Sequence, residues 1–211
     1  MVVRERPVVV AVCGYPGAGK TTVAAATAGH LGIPFLTRDE IKTGLGLSTA
    51  SVAEDGQVRF DRDYHVAGGP VSLRAEAVMV DAVRLFAASG VSFVVESSVL
   101  SHETLGVLLA CGARVVAVHV VAEEEAIGRR LGARAAAGRA VDQQLLAQFR
   151  RGAMKRSVFA PPEGVDAVVE LDTSAGGAPA VESIAAAVAT LLGREQPGRH
   201  PRAPEPERQS A

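Results

Sequence analysis

Short apolar runs alternate along this chain with longer stretches in which apolar residues recur at the spacing of a helix. The runs are rich in Val, and wholly apolar runs of this kind are typical of strands buried on both faces of a parallel sheet. The pattern predicts strands over residues 8–13, 33–36, 91–95, 114–121 and 167–171. It predicts helices over residues 21–31, 39–45, 70–89, 102–110 and 179–192, with a helical hairpin over 123–151. Because strands alternate with helices, we expect an α/β fold with a five-stranded parallel sheet flanked by helices.

The helix predicted over residues 70–89 has Pro at its first position, which suits the first turn of a helix. Its predicted apolar face consists of Val71, Val78, Ala82, Leu85 and Phe86. We expect this face to pack against the sheet.

Two segments depart from the alternation. Residues 48–69 are polar and irregular, and a loop of this length in a compact domain is usually functional or mobile. Residues 194–211 combine four prolines with mixed charges and no apolar periodicity, which predicts a disordered tail. The expected organisation is one domain over residues 1–193, containing a lid at about 123–152, followed by this tail.

Composition and charge narrow the class of protein. The chain has 22 basic and 23 acidic residues, a net charge of -1, and this balance disfavours nucleic acid as a partner. No apolar run approaches the ~18 residues of a membrane span, so no membrane partner is expected. Cys13 and Cys111 have no metal-site spacing and are interpreted as small buried residues. The beginning of the chain lacks the features of a signal peptide, so a cytoplasmic location is expected.

The segment from Gly14 to Thr21 matches the pattern G-x-x-x-x-G-K-[ST] between a predicted strand and a predicted helix. In this pattern the glycines let backbone N–H groups turn inward toward phosphate oxygens, and Lys20 brings a positive charge to the β- and γ-phosphates. The hydroxyl of Thr21 is the expected Mg²⁺ ligand, and the following helix directs its positive end at the anion. We therefore expect ATP and Mg²⁺ as ligands. The predicted nucleotide-binding residues are Gly14, Tyr15, Pro16, Gly17, Ala18, Gly19, Lys20, Thr21, Thr22 and, from the lid, Arg130.

Other classes of phosphate-loop protein fit less well. A GTPase would need an Asn-Lys-x-Asp segment to read guanine, and Asn does not occur in this sequence. A motor or transporter ATPase would normally be larger and carry an apolar strand that ends in Asp, whereas the nearest run here ends in Glu96. Glu96 could hold a metal-bound water or the acceptor, or it could be a structural acid.

Asp39 lies immediately beyond the second predicted strand. Loops at the carboxyl ends of parallel strands face the ligand crevice, which places Asp39 near the γ-phosphate side of the phosphate loop. A carboxylate there could accept the proton of an attacking hydroxyl. Alternatively, Asp39 could be the N-cap of the following helix, and the two roles are compatible.

The helical hairpin after the fourth strand is rich in Arg. Arg130 and Arg134 are four residues apart and share a helix face. Such guanidiniums could stabilise charge on a transferring phosphoryl group when a lid closes. The alternative is a solvated helix in which the arginines pair with Glu123, Glu124 and Glu125.

The phosphate loop, followed by Thr37-Arg38-Asp39-Glu40-Ile41-Lys42, resembles the small P-loop kinases. That group includes chloramphenicol phosphotransferase, the zeta-toxin sugar-nucleotide kinases and the polynucleotide 5′-kinases. The resemblance implies the P-loop NTPase fold in its nucleoside-monophosphate-kinase-like form, with an Arg-rich helical lid. It implies that Asp39 is the base, that Lys42 lies near the acceptor, and that Arg130 and Arg134 are the lid arginines, with Arg139 next. Arg74, His65 and Glu96 are further candidates for substrate contacts, although Arg74 and His65 also fit solvated surface positions.

The expected function is transfer of the γ-phosphoryl group of ATP to a hydroxyl of a small molecule, such as an antibiotic, a sugar nucleotide or a nucleoside. The expected catalytic residues are Asp39, Lys20, Arg130 and Arg134. The alternatives are a polynucleotide 5′-hydroxyl kinase, which the balanced charge disfavours, and a nucleotide-dependent switch or ATPase. A switch needs no small-molecule acceptor, so acceptor-dependent consumption of ATP separates it from a kinase.

Overall fold

Five parallel strands form the central sheet of the computed structural model, which describes residues 6–60, 68–138 and 140–193. Numbered in chain order, the strands of this sheet are β1 (Val8–Gly14), β2 (Phe35–Thr37), β5 (Phe93–Glu96), β6 (Arg114–Val121) and β7 (Ala167–Asp172). Strands β3 (Ser51–Val52) and β4 (Val58–Arg59) form a separate two-stranded sheet. The sheet has the order β2-β5-β1-β6-β7, and every pairing within it is parallel. The predicted five-stranded parallel sheet is therefore confirmed.

Helices cover both faces of this sheet. They are α1 (Lys20–Leu31), α2 (Arg38–Leu47), α3 (Pro70–Ala88), α4 (His102–Ala110), α5 (Glu124–Ala136), α6 (Ala140–Arg150) and α7 (Glu182–Gly193), with a short 3-10 helix at Arg156–Phe159. Alternate residues of β1 point to opposite faces, so Val10 packs with α1, α5 and α7, whereas Val9 packs with α3 and α4. Every residue of β1 is buried, which explains why the strand is apolar throughout.

The predicted apolar face of α3 is wrong for Val78 and Leu85, whereas Phe86 packs against the core and against the ring of Phe93 as expected. Val78 and Leu85 are exposed, and the helix instead buries the face that carries Ser72, Ala75, Met79, Val83 and Ala87. Small residues on the buried face let α3 approach its neighbours closely, and α3 carries enough apolar residues for two faces to look alike in the sequence.

The segment predicted to be irregular contains a small structure. Strands β3 and β4 form an antiparallel hairpin, with Ser51 opposite Arg59 and Val52 opposite Val58. The candidate residue His65 lies outside the described residues, as do Arg139 and residues 194–211. The division into a domain and a disordered tail stays a prediction.

The carboxyl ends of β1, β5 and β2 meet at one edge of the sheet. Glu96 at the end of β5 pairs in register with Thr37 of β2 on one side and with Val12 of β1 on the other. At the end of β1, Gly14 has φ 141°, and a Cβ there would lie 2.2 Å from the backbone oxygen of Val120. Glycine is therefore required where the chain leaves the sheet. Within the described residues, no helix is long and apolar enough to cross a membrane.

Candidate active site

The phosphate loop joins β1 to α1 at this edge of the sheet. Gly17 and Gly19 have φ 87° and 94°, a backbone conformation that favours glycine. A Cβ at Gly17 would lie 3.1 Å from the Leu131 side chain and 3.2 Å from that of Ile127, so the loop packs closely against α5. Helix α1 begins at Lys20, directly after the loop, and its unpaired N–H groups and positive dipole end therefore face the loop region.

Lys20 is a buried cation. Lys20 is only 6% exposed, and its Nζ donates a hydrogen bond to the backbone oxygen of Tyr15 over 3.2 Å. Burial lowers the pKa of Lys20, and the charges of Glu96 and Asp39 partly oppose that shift. Asp39 and Glu96 therefore lie within electrostatic range of Lys20, at the join of β1, β2 and β5.

Glu96 is a buried carboxylate beside the phosphate loop. It is 4% exposed, and Oε2 accepts hydrogen bonds from Thr37 Oγ1 over 2.8 Å and from Thr21 Oγ1 over 3.5 Å. Burial raises the pKa of Glu96, while Lys20 and the hydroxyl of Thr37 act in the opposite direction. The oxygens of Thr21 and Glu96 are hard donors close to each other, and such donors suit Mg²⁺. Thr21 and Glu96 therefore fit the Mg²⁺ ion that accompanies a nucleoside triphosphate.

A cleft of about 610 Å³ lies over the phosphate loop. It is lined by three segments of chain, namely the loop and the start of α1, the lid helix α5, and the loop after β7. The lining residues include Gly17, Gly19, Lys20, Thr21, Thr22, Arg130, Arg134, Asp172, Thr173 and the segment 176–180.

Arg130 ties two walls of this cleft together. Its Nη1 donates to the backbone oxygen of Gly17 over 3.3 Å and to Thr173 Oγ1 over 3.0 Å, and its Nη2 donates to the backbone oxygen of Thr173 over 2.5 Å. Thr173 Oγ1 in turn donates to the backbone oxygen of Ala18 over 2.6 Å. The sequence did not single out Thr173 as a site residue, because a lone Thr after a strand carries no distinctive signal.

A second, smaller cavity of about 220 Å³ opens on the other side of the loop. Its walls come from the phosphate loop, α2, the beginning of α3, the end of β5 and the lid. The lining residues include Arg38, Asp39, Lys42, Thr43, Ser72, Glu96, Ser98, Val141 and Leu145. The two cavities share Gly17, Lys20, Thr21 and Arg134.

Asp39 stands at the second position of α2. The helix begins at Arg38 with Thr37 as its N-cap residue, so the interpretation of Asp39 as the N-cap is wrong. The Thr37 side chain is used by Glu96 rather than by the helix. Asp39 therefore lines the smaller cavity and is not the N-cap residue of α2.

Arg134 and Asp142 connect the two lid helices. Arg134 Nη2 lies 2.6 Å from Asp142 Oδ1, and the Asp142 side chain is completely buried whereas that of Arg134 is 42% exposed. Asp142 and Arg38 were not identified from the sequence. In the sequence, Asp142 resembles any polar residue in the first turn of a helix, and Arg38 has no signal of its own within the segment Thr37 to Lys42.

The remaining predicted residues are placed as follows. Tyr15 lines neither cavity, and its ring packs edge-on against Phe149 and Phe159, with centroid distances of 6.2 and 5.0 Å. Pro16 lines the smaller cavity, and Ala18 is a buried residue of the loop. Arg74 is exposed on α3 and is absent from the lining of both cavities, so the structure does not bring it to the site.

Comparisons with known proteins agree with this arrangement. A family model described as an AAA domain, AAA_33, matches residues 9–156. No curated protein matches the sequence. A solved structure of a candidate kinase from Chloroflexus aurantiacus J-10-fl is 20% identical with a TM-score of 0.67, and the match covers 88% of this chain and 98% of that one.

Two further solved structures have named activities. A gluconokinase from Sinorhizobium meliloti 1021 is 19% identical with a TM-score of 0.50, and the match covers 91% of this chain and 99% of that one. The Mycobacterium tuberculosis APS kinase, solved with AMPPNP and APS, is 18% identical with a TM-score of 0.50, covering 90% and 99%. The chain therefore belongs to the AAA_33 family of AAA domains and has the fold of a P-loop kinase.

Proposed function

We propose that this protein is an ATP-dependent phosphotransferase that moves the γ-phosphoryl group to a hydroxyl of a small molecule. The observation that carries the proposal is the meeting of two cavities at Lys20, Thr21 and Arg134, with Asp39 in the smaller one. A protein that only binds or hydrolyses a nucleotide needs the first cavity. A second cavity that contains a carboxylate is what an acceptor requires.

The larger cavity suits the nucleotide. Its volume of about 610 Å³ lies within the usual range for ligand pockets, and the phosphate loop and the start of α1 form one of its walls. Phosphates on that wall would lie beside the beginning of α1 and Lys20. Their negative charge would compensate the buried ammonium group of Lys20.

Asp39 is the proposed base. As the acceptor oxygen forms its bond to the γ-phosphorus, the bond from that phosphorus to the bridging oxygen breaks and ADP leaves. The hydroxyl proton passes to the Asp39 carboxylate. Lys20 and Arg134, which line both cavities, would stabilise the charge on the phosphoryl group between donor and acceptor.

Mg²⁺ would enter with the nucleotide and neutralise negative charge on the β- and γ-phosphates. Thr21 and Glu96 are the residues that would hold it, Thr21 directly and Glu96 directly or through water. Glu96 is kept in place by the hydrogen bond from Thr37.

The solved neighbours support a two-ligand site in this fold. One of them is named a gluconokinase, and the APS kinase holds AMPPNP and APS together. Both names describe those proteins, and what they support here is a nucleotide cavity beside an acceptor cavity.

Transfer of radiolabelled γ-phosphate from ATP to a panel of hydroxylated compounds tests the proposal. We expect label in a product only when an acceptor is present, and a fall of about 10²–10⁴-fold in kcat for Asp39→Asn with unchanged ATP affinity. Glu40→Gln is the matched control, because Glu40 is the next residue of α2, is exposed and lines neither cavity.

Other results would point elsewhere. Release of inorganic phosphate at the same rate with and without acceptors, unaffected by Asp39→Asn, would identify an ATPase or switch instead. Loss of MgATP binding in Asp39→Asn, measured by calorimetry, would move Asp39 from the acceptor to the metal.

A further inference from the structure

Thr173 lies between the phosphate loop and α5, and the proposed function gives it no role. It is the first residue after β7, and its N–H donates to the backbone oxygen of Val121 over 3.0 Å, which continues the pairing of β7 with β6. The backbone of Thr173 is therefore fixed at the edge of the sheet, and the residue lines the larger cavity. A rigid element of this kind places a side chain more precisely than a free loop does.

The hydroxyl of Thr173 has a partner on each side. It donates to the backbone oxygen of Ala18 over 2.6 Å and accepts a hydrogen bond from Arg130 Nη1 over 3.0 Å. The backbone oxygen of Val121 lies farther away, at 3.3 Å, so the single proton of the hydroxyl favours Ala18. One side chain thus joins the phosphate loop to α5.

The bond to Ala18 sets the direction of a peptide group in the phosphate loop. In a planar trans peptide, the C=O of one residue and the N–H of the next point in opposite directions. Because the carbonyl of Ala18 is held by Thr173, the N–H of Gly19 is directed away from Thr173. Backbone N–H groups are what hold phosphate oxygens in a loop of this pattern. Thr173 therefore fixes one of the groups on which phosphate binding depends.

Arg130 is held at the same place. Its Nη1 also donates to the backbone oxygen of Gly17 over 3.3 Å, and its Nη2 donates to the backbone oxygen of Thr173 over 2.5 Å. Its Nη1 would lie only 3.8 Å from a Cβ at Gly19, so the guanidinium is close to the turn that precedes Lys20. A planar guanidinium held by several hydrogen bonds loses less conformational freedom when it binds an anion.

We propose that Thr173 is a positioning residue for the phosphates of the nucleotide. Its hydroxyl keeps the Ala18–Gly19 peptide and the guanidinium of Arg130 in the geometry that receives those phosphates. It acts through these two groups and not on the reacting atoms. The inference rests on nucleotide binding in the larger cavity, as in the proposed function, and makes no assumption about the acceptor.

Nucleotide affinity tests the proposal. Thr173→Val removes the hydroxyl, and Thr173→Ala does so without placing a methyl group near Ala18. In both variants we expect the Kd of MgAMPPNP, measured by calorimetry, to rise about ten- to a hundredfold, because two hydrogen bonds are lost and one of them involves a charged group. Thr173→Ser keeps the hydroxyl and both bonds, so its Kd should stay within about threefold of the wild-type value. An unchanged Kd in Thr173→Ala would overturn the proposal.

The matched control is Thr190→Val. Thr190 is exposed on α7, lines neither cavity, and donates its hydroxyl proton to Ala186 of the same helix. We expect no change in the Kd of MgAMPPNP for this variant. A rise equal to that of Thr173→Val would show that loss of a threonine hydroxyl acts through general stability, which would overturn the proposal.

The number of phosphates separates a positioning role from a merely structural one. A structural defect at Thr173 would weaken every ligand of the larger cavity alike. Loss of phosphate positioning should weaken AMPPNP and ADP strongly and AMP by less than about twofold, since AMP lacks the β- and γ-phosphates that the loop and Lys20 bind. Equal weakening of AMP and AMPPNP would therefore overturn the proposal.

A double-mutant cycle tests whether Thr173 and Arg130 act together. In the Arg130→Met background the bond between the two side chains is already lost, so Thr173→Ala should raise the Kd of MgAMPPNP by a factor about threefold smaller than in the wild-type background. Fully additive effects would show that the two residues act independently and would overturn the proposal.

These binding measurements need no acceptor, so they remain decisive if the proposed function fails. Wild-type protein that shows the expected variant effects on Kd but transfers no label to any hydroxyl would uphold the role of Thr173 and count against the proposed function. Where transfer occurs, Thr173→Ala should raise the KM of MgATP about tenfold or more while kcat stays within about threefold. Normal transfer with an unchanged KM of MgATP would overturn the inference and leave the proposed function intact.

Discussion

Lys20 and Glu96 are the two charges on which the proposed site depends, and both are buried. Burial lowers the pKa of Lys20 and raises the pKa of Glu96, so in each residue burial outweighs the attraction of the other. Groups whose pKa is displaced in this way concentrate at functional sites. The protein thus retains two charges that weaken its own stability and that a bound MgATP would compensate.

Replacing Lys20 by Met should abolish turnover without lowering Tm at neutral pH. A lysine whose folded pKa lies below its unfolded value destabilises the fold fully at pH values below the folded pKa, and that cost falls as pH rises from the folded value to the unfolded value. Met fills the same space without charge, and Glu96, whose pKa would rise further, can stay as a neutral carboxyl bonded to Thr37. Tm by differential scanning fluorimetry and turnover by label transfer measure the two effects, with Lys155→Met as the control. A fall of several degrees would show instead that Lys20 stabilises the fold.

Some site residues could be predicted from the sequence because their signal is local. The phosphate loop is a fixed spacing of Gly, Lys and Thr, and Asp39 and Glu96 directly follow or end a predicted strand at the edge where ligands bind. Arg38 and Asp142 could not be recognised, because their importance depends on partners far away in the chain or on another helix, Glu76 and Arg134.

Helices and strands, like site residues, could be predicted where their sequence signal is local. Strands β1, β5 and β6 could be predicted because burial on both faces makes them apolar over most of their length, with the polar residues Glu96, Arg114 and His119 as exceptions. The hairpin of β3 and β4 was missed because both strands are two residues long and exposed. The face of α3 was mistaken because the helix buries Ala and Ser against the fold while Val78 and Leu85 remain exposed.

Helices α5 and α6, which form the predicted lid, are joined by the ion pair of Arg134 and Asp142. Arg134 reaches the join of the two cavities from α5, and Asp142 restrains it from α6. Because Asp142 is completely buried, its carboxylate has lost its hydration, and the nearby Arg134 guanidinium is a charge that compensates it. If Arg134 acts in phosphoryl transfer as proposed, Asp142 is expected to position it rather than to touch the substrate.

Asp142→Asn should lower kcat about tenfold while leaving the KM of ATP nearly unchanged. Asn keeps the shape and one hydrogen bond but loses the charge that orients Arg134. Glu124→Gln is the control, since Glu124 belongs to the exposed lid pair with Arg156 at 3.7 Å, and such surface pairs contribute little. Steady-state kinetics of both variants with the preferred acceptor make the comparison. Equal effects of the two variants would show that charge anywhere on the lid suffices and that Asp142 has no special role.

At the scale of the whole molecule, the phosphate loop is hydrogen-bonded to parts of the chain that are far from it in sequence. Arg130 of α5 donates to Gly17, and Thr173 after β7 donates to Ala18. Gly17 packs against Leu131 and Ile127, and Tyr15 packs against Phe149 of α6. A ligand in the larger cavity would contact the phosphate loop, α5 and the segment after β7 together. Binding should therefore stabilise the whole domain rather than one part of it.

MgATP should therefore raise the Tm of the whole protein in a single transition. A ligand that binds only the folded state at a hundred times its Kd adds about 2.7 kcal/mol to the free energy of unfolding. For a chain of this length about 1 kcal/mol corresponds to roughly 2–4 °C, so we expect a shift of about 5–10 °C. The shift depends on phosphates meeting Lys20, so AMP, which lacks the β- and γ-phosphates, should produce much less. Lys20→Met should likewise lose most of the response while keeping its own Tm. Scanning fluorimetry with MgATP, AMP and the variant measures all three, and equal shifts with AMP and MgATP would mean that the phosphate loop does not provide the main part of the binding.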